Sequence, residues 1–256
     1  MGKSYKKDYI TNFIIRFDYN DINESILEEL QTIFEKQYKF VINETRMVET
    51  GKIKVDFRNK ESEIESAGMK KEFLLFNIER TERLKFSKDT FIYETIKYTS
   101  YDEIKDKVRE FVDIVNKNGN EEVFNRIGMR YINNIELPYT KKEEIFDWTD
   151  YIDEKIWNNN QFLDIKNILQ KITVQEFKSK NEDSNVIFRL QTGIPNPNKP
   201  AEIIYKRFLI DIDGYTMNIE KMNNALNKLQ DIHDELSEIF DKCIGVNLEK
   251  IMNGEN

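Results

Sequence analysis

The apolar pattern of the chain predicts an α+β fold built from two related halves, and three observations carry that reading. The stretch Asn125 to Pro138, NRIGMRYINNIELP, alternates apolar and polar residues over the length of a strand. A weaker echo opens the chain at Phe13 to Asn20, FIIRFDYN. There Arg16 takes the place of Arg130, Phe17 that of Tyr131 and Asn20 that of Asn134. Further strand and helix patterns follow each stretch in a similar order. The expected halves are residues 1–120 and 121–256, each a strand, a helix, antiparallel strands and a long helix. Together they would share one sheet, or a barrel-like sheet, with the long helices packed on it.

The first half reads as follows. After the opening strand, Asp21 or Asn23 caps a helix carrying Ile26, Leu30, Ile33 and Phe34 at helical spacing, ending near Tyr38. Phe40–Met47 and Lys52–Phe57 read as strands, and the charged Asn59–Met69 as a loop. Phe73–Arg80 and Lys85–Tyr98 read as a hairpin. Tyr101–Lys117 is an amphipathic helix with Ile104, Val108, Phe111 and Val115 in one stripe, stopped by Asn118-Gly119-Asn120.

In the second half, the midpoint strand precedes a helix expected from about Lys142 to Glu154. Ile165–Lys178 begins ambiguously and favours a strand by its end. Val186–Thr192 and Glu202–Asp213 are strands, joined by the proline-rich loop Gly193–Pro200. The longest helix runs from Met217 to about Cys243, with a short one following to Met252. Phe73–Phe76 lies over Val186–Arg189, and Thr90–Glu94 over Arg207–Asp211, at nearly the offset that relates Arg16 to Arg130.

Composition bounds the function. The 256 residues suffice for a sizeable core, and 17 Phe and 12 Tyr mark a globular chain although 34% of residues are charged. The net charge of −8, with Lys and Glu intermixed, disfavours general nucleic-acid binding without excluding a local basic groove. One cysteine, Cys243, permits no intramolecular disulfide, and one histidine, His233, permits no multi-histidine metal site. No apolar run approaches eighteen residues and no secretory h-region opens the chain, so the expectation is a cytoplasmic protein off the membrane. Nucleotide-binding glycine loops, nucleophile elbows and metalloprotease motifs are missing from the sequence, and no cofactor is expected.

Three blocks carry a resemblance. RIGMRYINNIELP is similar to a Gly-Leu-Arg-Tyr-Ile-Asn signature, with Met129 in place of the leucine. LKFSKDTFIYETIKYTSYDEI resembles a hairpin ending in Tyr-x-Ser-Tyr/Trp before a helix, matched by Tyr98, Ser100 and Tyr101. Asp211 and Asp213, followed by Leu229, His233 and Phe240, resemble a C-terminal strand and helix. Together they resemble a sporadically distributed prokaryotic family of about this length. The resemblance implies an architecture for nearly the whole chain and brings no activity with it. The sporadic distribution implies a setting in a defence or mobile-element system.

Among candidate site residues, Arg16 and Arg130 stand on the polar sides of matching strands. Two guanidiniums there would converge on a phosphate or carboxylate with Asn133 and Asn134 adding amides, or would pair with acids of neighbouring strands. Asp211 and Asp213 share a strand face about 7 Å apart. They form either an acidic pair for Mg²⁺, Ca²⁺ or acid–base work, or the end of a strand running into a turn at Gly214. His233 lies on the apolar seam of the long helix, as a proton carrier or a core imidazole, about 15 Å along the axis from Cys243. Trp148, Tyr151 and Trp157 form either an interaction patch or core packing. The expectation is a non-catalytic binding or regulatory protein acting with a protein partner. The alternative is an enzyme or ligand-binding module for a phosphorylated small molecule or nucleic acid, using the arginines and carboxylates.

Overall fold

The computed structural model describes residues 5–20, 22–56, 61–118, 123–137, 147–157, 170–181, 184–194, 207–216, 220–221 and 224–255. The first part of the chain forms β1 (Ile10–Tyr19), α1 (Glu24–Tyr38), β2 (Ile42–Asp56), β3 (Glu61–Phe76), β4 (Glu82–Phe86), β5 (Thr90–Thr95) and α2 (Tyr101–Asn118). The rest forms β6 (Val123–Glu136), α3 (Glu154–Trp157), β7 (Lys171–Lys178), β8 (Val186–Ile194), β9 (Arg207–Thr216), β10 (Glu220–Lys221), α4 (Ala225–Cys243) and α5 (Val246–Asn253). The α+β class is as the sequence predicts.

The strands build one antiparallel sheet in the order β2-β3-β4-β5-β1-β6-β9-β8-β7, with β10 pairing the start of β6. Strands from the two parts of the chain lie on opposite sides of the β1–β6 pair. In that pair Ile15 faces Met129, Arg16 faces Gly128 and Ile14 faces Arg130. Alternation puts Phe13, Ile15 and Phe17 of β1, with Ile127, Met129, Tyr131 and Ile135 of β6, on the buried face. There they join one continuous core with Leu30 and Phe34 of α1, Val108 and Phe111 of α2, and Leu229, Ile232 and Leu236 of α4. The opposite face carries the half-buried and exposed residues of the same strands.

α4 seats closely on this core. A methyl group at Gly214 of β9 would lie 2.6 Å from the Phe188 ring and 3.0 Å from Ile232 of α4, so only a bare backbone fits beneath the helix. β9 continues through Gly214 to Thr216 because β6 and β8 pair with it on both sides, which replaces the turn expected at Gly214.

Several expected boundaries are corrected. Most of Asn59–Met69 is strand: β3 starts at Glu61, and Glu61, Glu63 and Glu65 alternate with Ser62, Ile64 and Ser66 opposite a continuous β2. Two strands expected at Phe40–Met47 and Lys52–Phe57 are therefore one. The strand expected over Lys85–Tyr98 is two, because the chain turns back at Ser87–Asp89, where Ser87 N–H donates to Thr90 O at 2.9 Å. The helix expected at Lys142–Glu154 lies partly outside the described residues. From Trp148 to Ile152 it is a turn, with Tyr151 and Ile152 N–H both donating to Trp148 O at 3.0 Å. The long helix starts at Ala225 rather than Met217, since Glu220 and Lys221 pair with β6. Most of the loop Gly193–Pro200 and the start of the strand expected from Glu202 lie outside the described residues.

The β2–β3 hairpin outgrows the sheet. β4 pairs only with Phe73–Phe76 of β3, whereas β2 and β3 stay paired from Arg46–Glu72 out to Asp56–Glu61. A bulge at Ala67, beside Gly68 at φ +112°, twists this two-stranded arm.

Candidate functional site

The open sheet face carries a ladder of opposite charges across almost every strand. Lys85 of β4 lies 2.9 Å from Glu72 of β3. Arg83 of β4 pairs with Glu94 of β5, which also accepts from Asn12 of β1 at 2.9 Å. Arg207 of β9 and Glu136 of β6 are 2.9 Å apart. Arg189 of β8 lies 3.9 Å from Glu176 of β7. These are cross-strand neighbours on one side of the pleat, and on an exposed face each contributes little by itself.

Near the middle the ladder tightens. Arg130 Nε and Nη2 donate to the two carboxylate oxygens of Asp211 at 2.8 and 2.6 Å. Asp211 is 6% exposed whereas the Arg130 side chain is 39% exposed, so the bidentate pair keeps a buried carboxylate from standing alone. Asp213 sits one pleat along, opposite Arg130 and Arg189 in register and 3.7 Å from Arg126. Burial pushes its carboxyl above the usual range, against the pull of Arg126, Arg130 and Arg189. Arg126 also lies over the Tyr215 ring, 4.3 Å from its centroid.

The six sequence-predicted residues divide as follows. Arg16, Arg130, Asp211 and Asp213 share the open face. Arg16 and Arg130 are diagonal neighbours across the β1–β6 seam, and Arg16 pairs with Asp18 of its own strand at 2.9 Å. Asn134 is half-buried on that side and donates to Thr11 Oγ1 at 3.3 Å. Asn133 points the other way, is buried, and donates to Ile210 O at 3.2 Å, so it does not join Arg130. The described arginines here are matched by carboxylates on an open surface rather than gathered in a cleft. Among the described residues, no group of three His, Cys, Asp or Glu is placed to hold a metal ion.

His233 belongs to the other face. Its ring stacks on Tyr101 of α2 with centroids 4.1 Å apart, and its Nδ1 lies 2.9 Å from Tyr131 Oη of β6. Tyr131 Oη is in turn 3.5 Å from Tyr98 Oη. Burial holds the Tyr131 phenol well above its ordinary range, so it stays protonated and shares one hydrogen bond with the imidazole, the direction of which is set by the imidazole tautomer. The cluster ties α4, α2 and β6 together. Spacing places His233 on the helix seam, but its partners are set by how α2 crosses α4, which spacing does not encode. Cys243 is buried, its thiol pushed up to about 12 by desolvation. Trp148 and Trp157 are buried against Phe208, with centroids 5.3 and 6.1 Å away, and serve the core.

Beside α4, a cavity of about 270 Å³ is lined by Ser179, Lys180, Asp231, Asp234, Glu235 and Glu238 among others. Ser179 donates to Glu235 at 2.6 Å and Lys180 to Glu238 at 2.6 Å, so two of its acids are bonded at the rim. No helix among the described residues is long and apolar enough to cross a membrane. No protein-family model, curated protein or solved structure matches the chain.

Removing Arg130 leaves the Asp211 carboxylate buried and unpaired. Arg130→Ala is therefore expected to cost about 1–3 kcal/mol in urea unfolding, whereas Arg16→Ala, which breaks an exposed pair, costs under about 1 kcal/mol. Equal costs would show that the buried carboxylate finds another partner.

Burial lowers the His233 pKa beneath its ordinary 6.5, with Lys105 acting the same way and Asp234 and Asp102 opposing. The unfolded chain then binds the proton more readily than the folded one. The His233 contribution to stability is fully present above pH 6.5 and is lost as pH falls through the window between the unfolded and folded values. His233→Phe is expected to remove that part of the slope, as read by denaturant midpoints from pH 8 to 5. A wild-type slope of the opposite sign would contradict it.

Proposed function

We propose that the chain is a cytoplasmic, non-catalytic binding or regulatory protein that acts with a protein partner, in a prokaryotic defence or mobile-element system. The arm formed by β2 and β3 is the observation that carries this reading. It leaves the sheet behind, and near its base Met47 and Met69 are 59% and 61% exposed. Met47 faces Lys71 in register and Met69 faces Glu49, so the two methionines are diagonal neighbours on one side of the ribbon. Exposed, adaptable thioethers on a projecting ribbon suit a protein surface. The mutual neutralisation of arginines and carboxylates on the open face supports a structural role for them and weighs against a phosphate or nucleotide receptor. The setting follows from the family resemblance.

The reading includes an origin in two related halves. In its favour, Ile15 faces Met129 at the seam, and Arg16 and Arg130 lie symmetrically about that pair. Against one of the sequence matches, β3 lies two strands from β5 whereas β8 adjoins β9, so Phe73–Phe76 and Val186–Arg189 belong to strands of different rank.

Affinity capture of the tagged chain in its native host tests the function. Wild type is expected to retain a defined protein in stoichiometric amount. The variant with Met47→Lys and Met69→Lys is expected to lose it with an unchanged melting temperature. Retention of nucleic acid or a nucleotide in place of a protein would overturn the reading.

A further inference from the structure

We propose that the arm is held in one direction by an ionic clamp at its base, Lys70 with Asp89 on one face and Lys71 with Glu24 on the other, and swings when that clamp is broken. The device belongs to the chain alone and stands apart from the partner reading.

The first argument is where the support of the sheet ends. β4 pairs with β3 only from Phe73 to Phe76, so from Glu72 outward β2 is the one neighbouring strand of β3 among the described residues. A two-stranded ribbon is marginal in water and twists more freely than a wide sheet. From Phe73 to Glu61 the arm extends about 40 Å at about 3.3 Å per residue, so a swing of about 10° at the base carries its tip about 7 Å.

The second argument is what stands at that base. Lys70, Lys71 and Glu72 follow one another on β3 and point to alternate faces. On the helix face, Lys71 Nζ donates to Glu24 Oε1, in the first turn of α1, at 2.6 Å and lies 4.9 Å from the centroid of the Phe73 ring. On the open face, Lys70 pairs with Asp89 of the β4–β5 turn, and its side chain is only 12% exposed. Glu72 reaches Lys85 on that same face at 2.9 Å. Asp89 is itself fixed. Its carboxylate accepts from Ser87 Oγ at 2.9 Å and Thr90 Oγ1 at 3.2 Å, and its backbone oxygen accepts from Tyr19 N–H of β1 at 3.1 Å. Burial works to raise its carboxyl, but hydrogen bonds from Lys70, Ser87 and Thr90 outweigh that and hold it below its usual range, so it is charged at neutral pH. The two lysines thus tie the ribbon to α1 and to the β4–β5 turn from opposite faces. A bend toward either face stretches one of the two ties.

The third argument is magnitude. An exposed pair such as Lys71–Glu24 adds little to global stability. An arm without a third strand has orientations close in energy, however, and a small differential interaction decides their populations. Salt screens the exposed Lys71–Glu24 pair more than the shielded Lys70–Asp89 pair. At low ionic strength the clamp presents Met47 and Met69 in one direction. With its charges screened or reversed, the arm sweeps a wider arc.

The test measures spin-label distances by pulsed electron paramagnetic resonance on the purified full chain. Labels sit at Asp56→Cys near the arm tip and at Asp113→Cys on the exposed side of α2, in a Cys243→Ser background. In low salt the chain is expected to give one narrow distance distribution. Lys70→Ala with Lys71→Ala is expected to broaden it by several ångströms, as is Lys71→Glu alone, which sets an acid beside Glu24. Lys71→Glu with Glu24→Lys restores the pair in reverse and is expected to narrow the distribution again, which separates charge pairing from loss of the lysine stem. Raising the salt to about 1 M is expected to broaden the distribution of the unsubstituted base, a readout that needs no change in the clamp. A distribution already broad in low salt, one that stays narrow in the double alanine variant or in high salt, or a reversed pair that fails to narrow it, overturns the proposal. None of these results touches capture of a protein through Met47 and Met69.

Discussion

The antiparallel pairing of β1 with β6 is the constraint on which the rest of the structure depends. It joins the first strand of the chain to its midpoint strand at the middle of the sheet. Its register sets Phe13 against Tyr131, Ile15 against Met129 and Phe17 against Ile127, all on the helix-covered face. A slip of one residue would turn β1's apolar residues toward the open face. Each large apolar side chain kept from water is worth about 1.5–3 kcal/mol, so the register is strongly specified. The same register decides which charges face outward. Arg126 and Arg130 lie beside the acids of β9 because β6 has β1 on one edge and β9 on the other. The ladder of charge on the open face follows from the core on the other side.

The helix-side chemistry is placed by the same seam. Tyr131 lies on the buried face of β6 and reaches the His233 ring between α4 and α2. A partly buried imidazole hydrogen-bonded to a phenol and stacked on a tyrosine has its charged form opposed by desolvation. These are the properties of a group that locks three elements together at neutral pH. Asp211 is a comparable case on the other face, a buried carboxylate held by a bidentate guanidinium.

Strands with one covered face were the most legible in the sequence, because their period-two alternation is a direct image of the core. The midpoint strand, the opening strand and the stripes of α1 and α2 were readable for that reason. The arm was not. Its Glu-Ser-Glu-Ile-Glu-Ser run has the composition of a loop, and its strand character comes from continuous pairing with β2 across the bulge at Ala67. The start of α4 was displaced because a distant strand, β6, claims Glu220 and Lys221. Of the site residues, the common face of Asp211 and Asp213 and the polar side that holds Arg130 were visible from parity, and the pairing of β6 with β9 puts the three together. That Arg130 bonds Asp211 depends on strand order, which parity does not contain, whereas Asn133 shares the parity of Tyr131 and Ile135, so its turn to the core was legible in β6 alone. Trp148 read as part of a helix face and proved to be the buried corner of a turn, fixed by Phe208 from β9.

A sheet organised around one seam predicts a gradient of local stability, highest at the centre and lowest in the arm. Native-state hydrogen exchange of the dilute chain measures it directly. Amides of β1 and β6 from Phe13–Tyr131 to Phe17–Ile127 should exchange only through global unfolding, with those of β9 close behind. Arm amides between Arg46–Glu72 and Asp56–Glu61 should exchange by much cheaper local opening. Arm amides as protected as the seam, or seam amides that open before their flanking strands, would contradict the account.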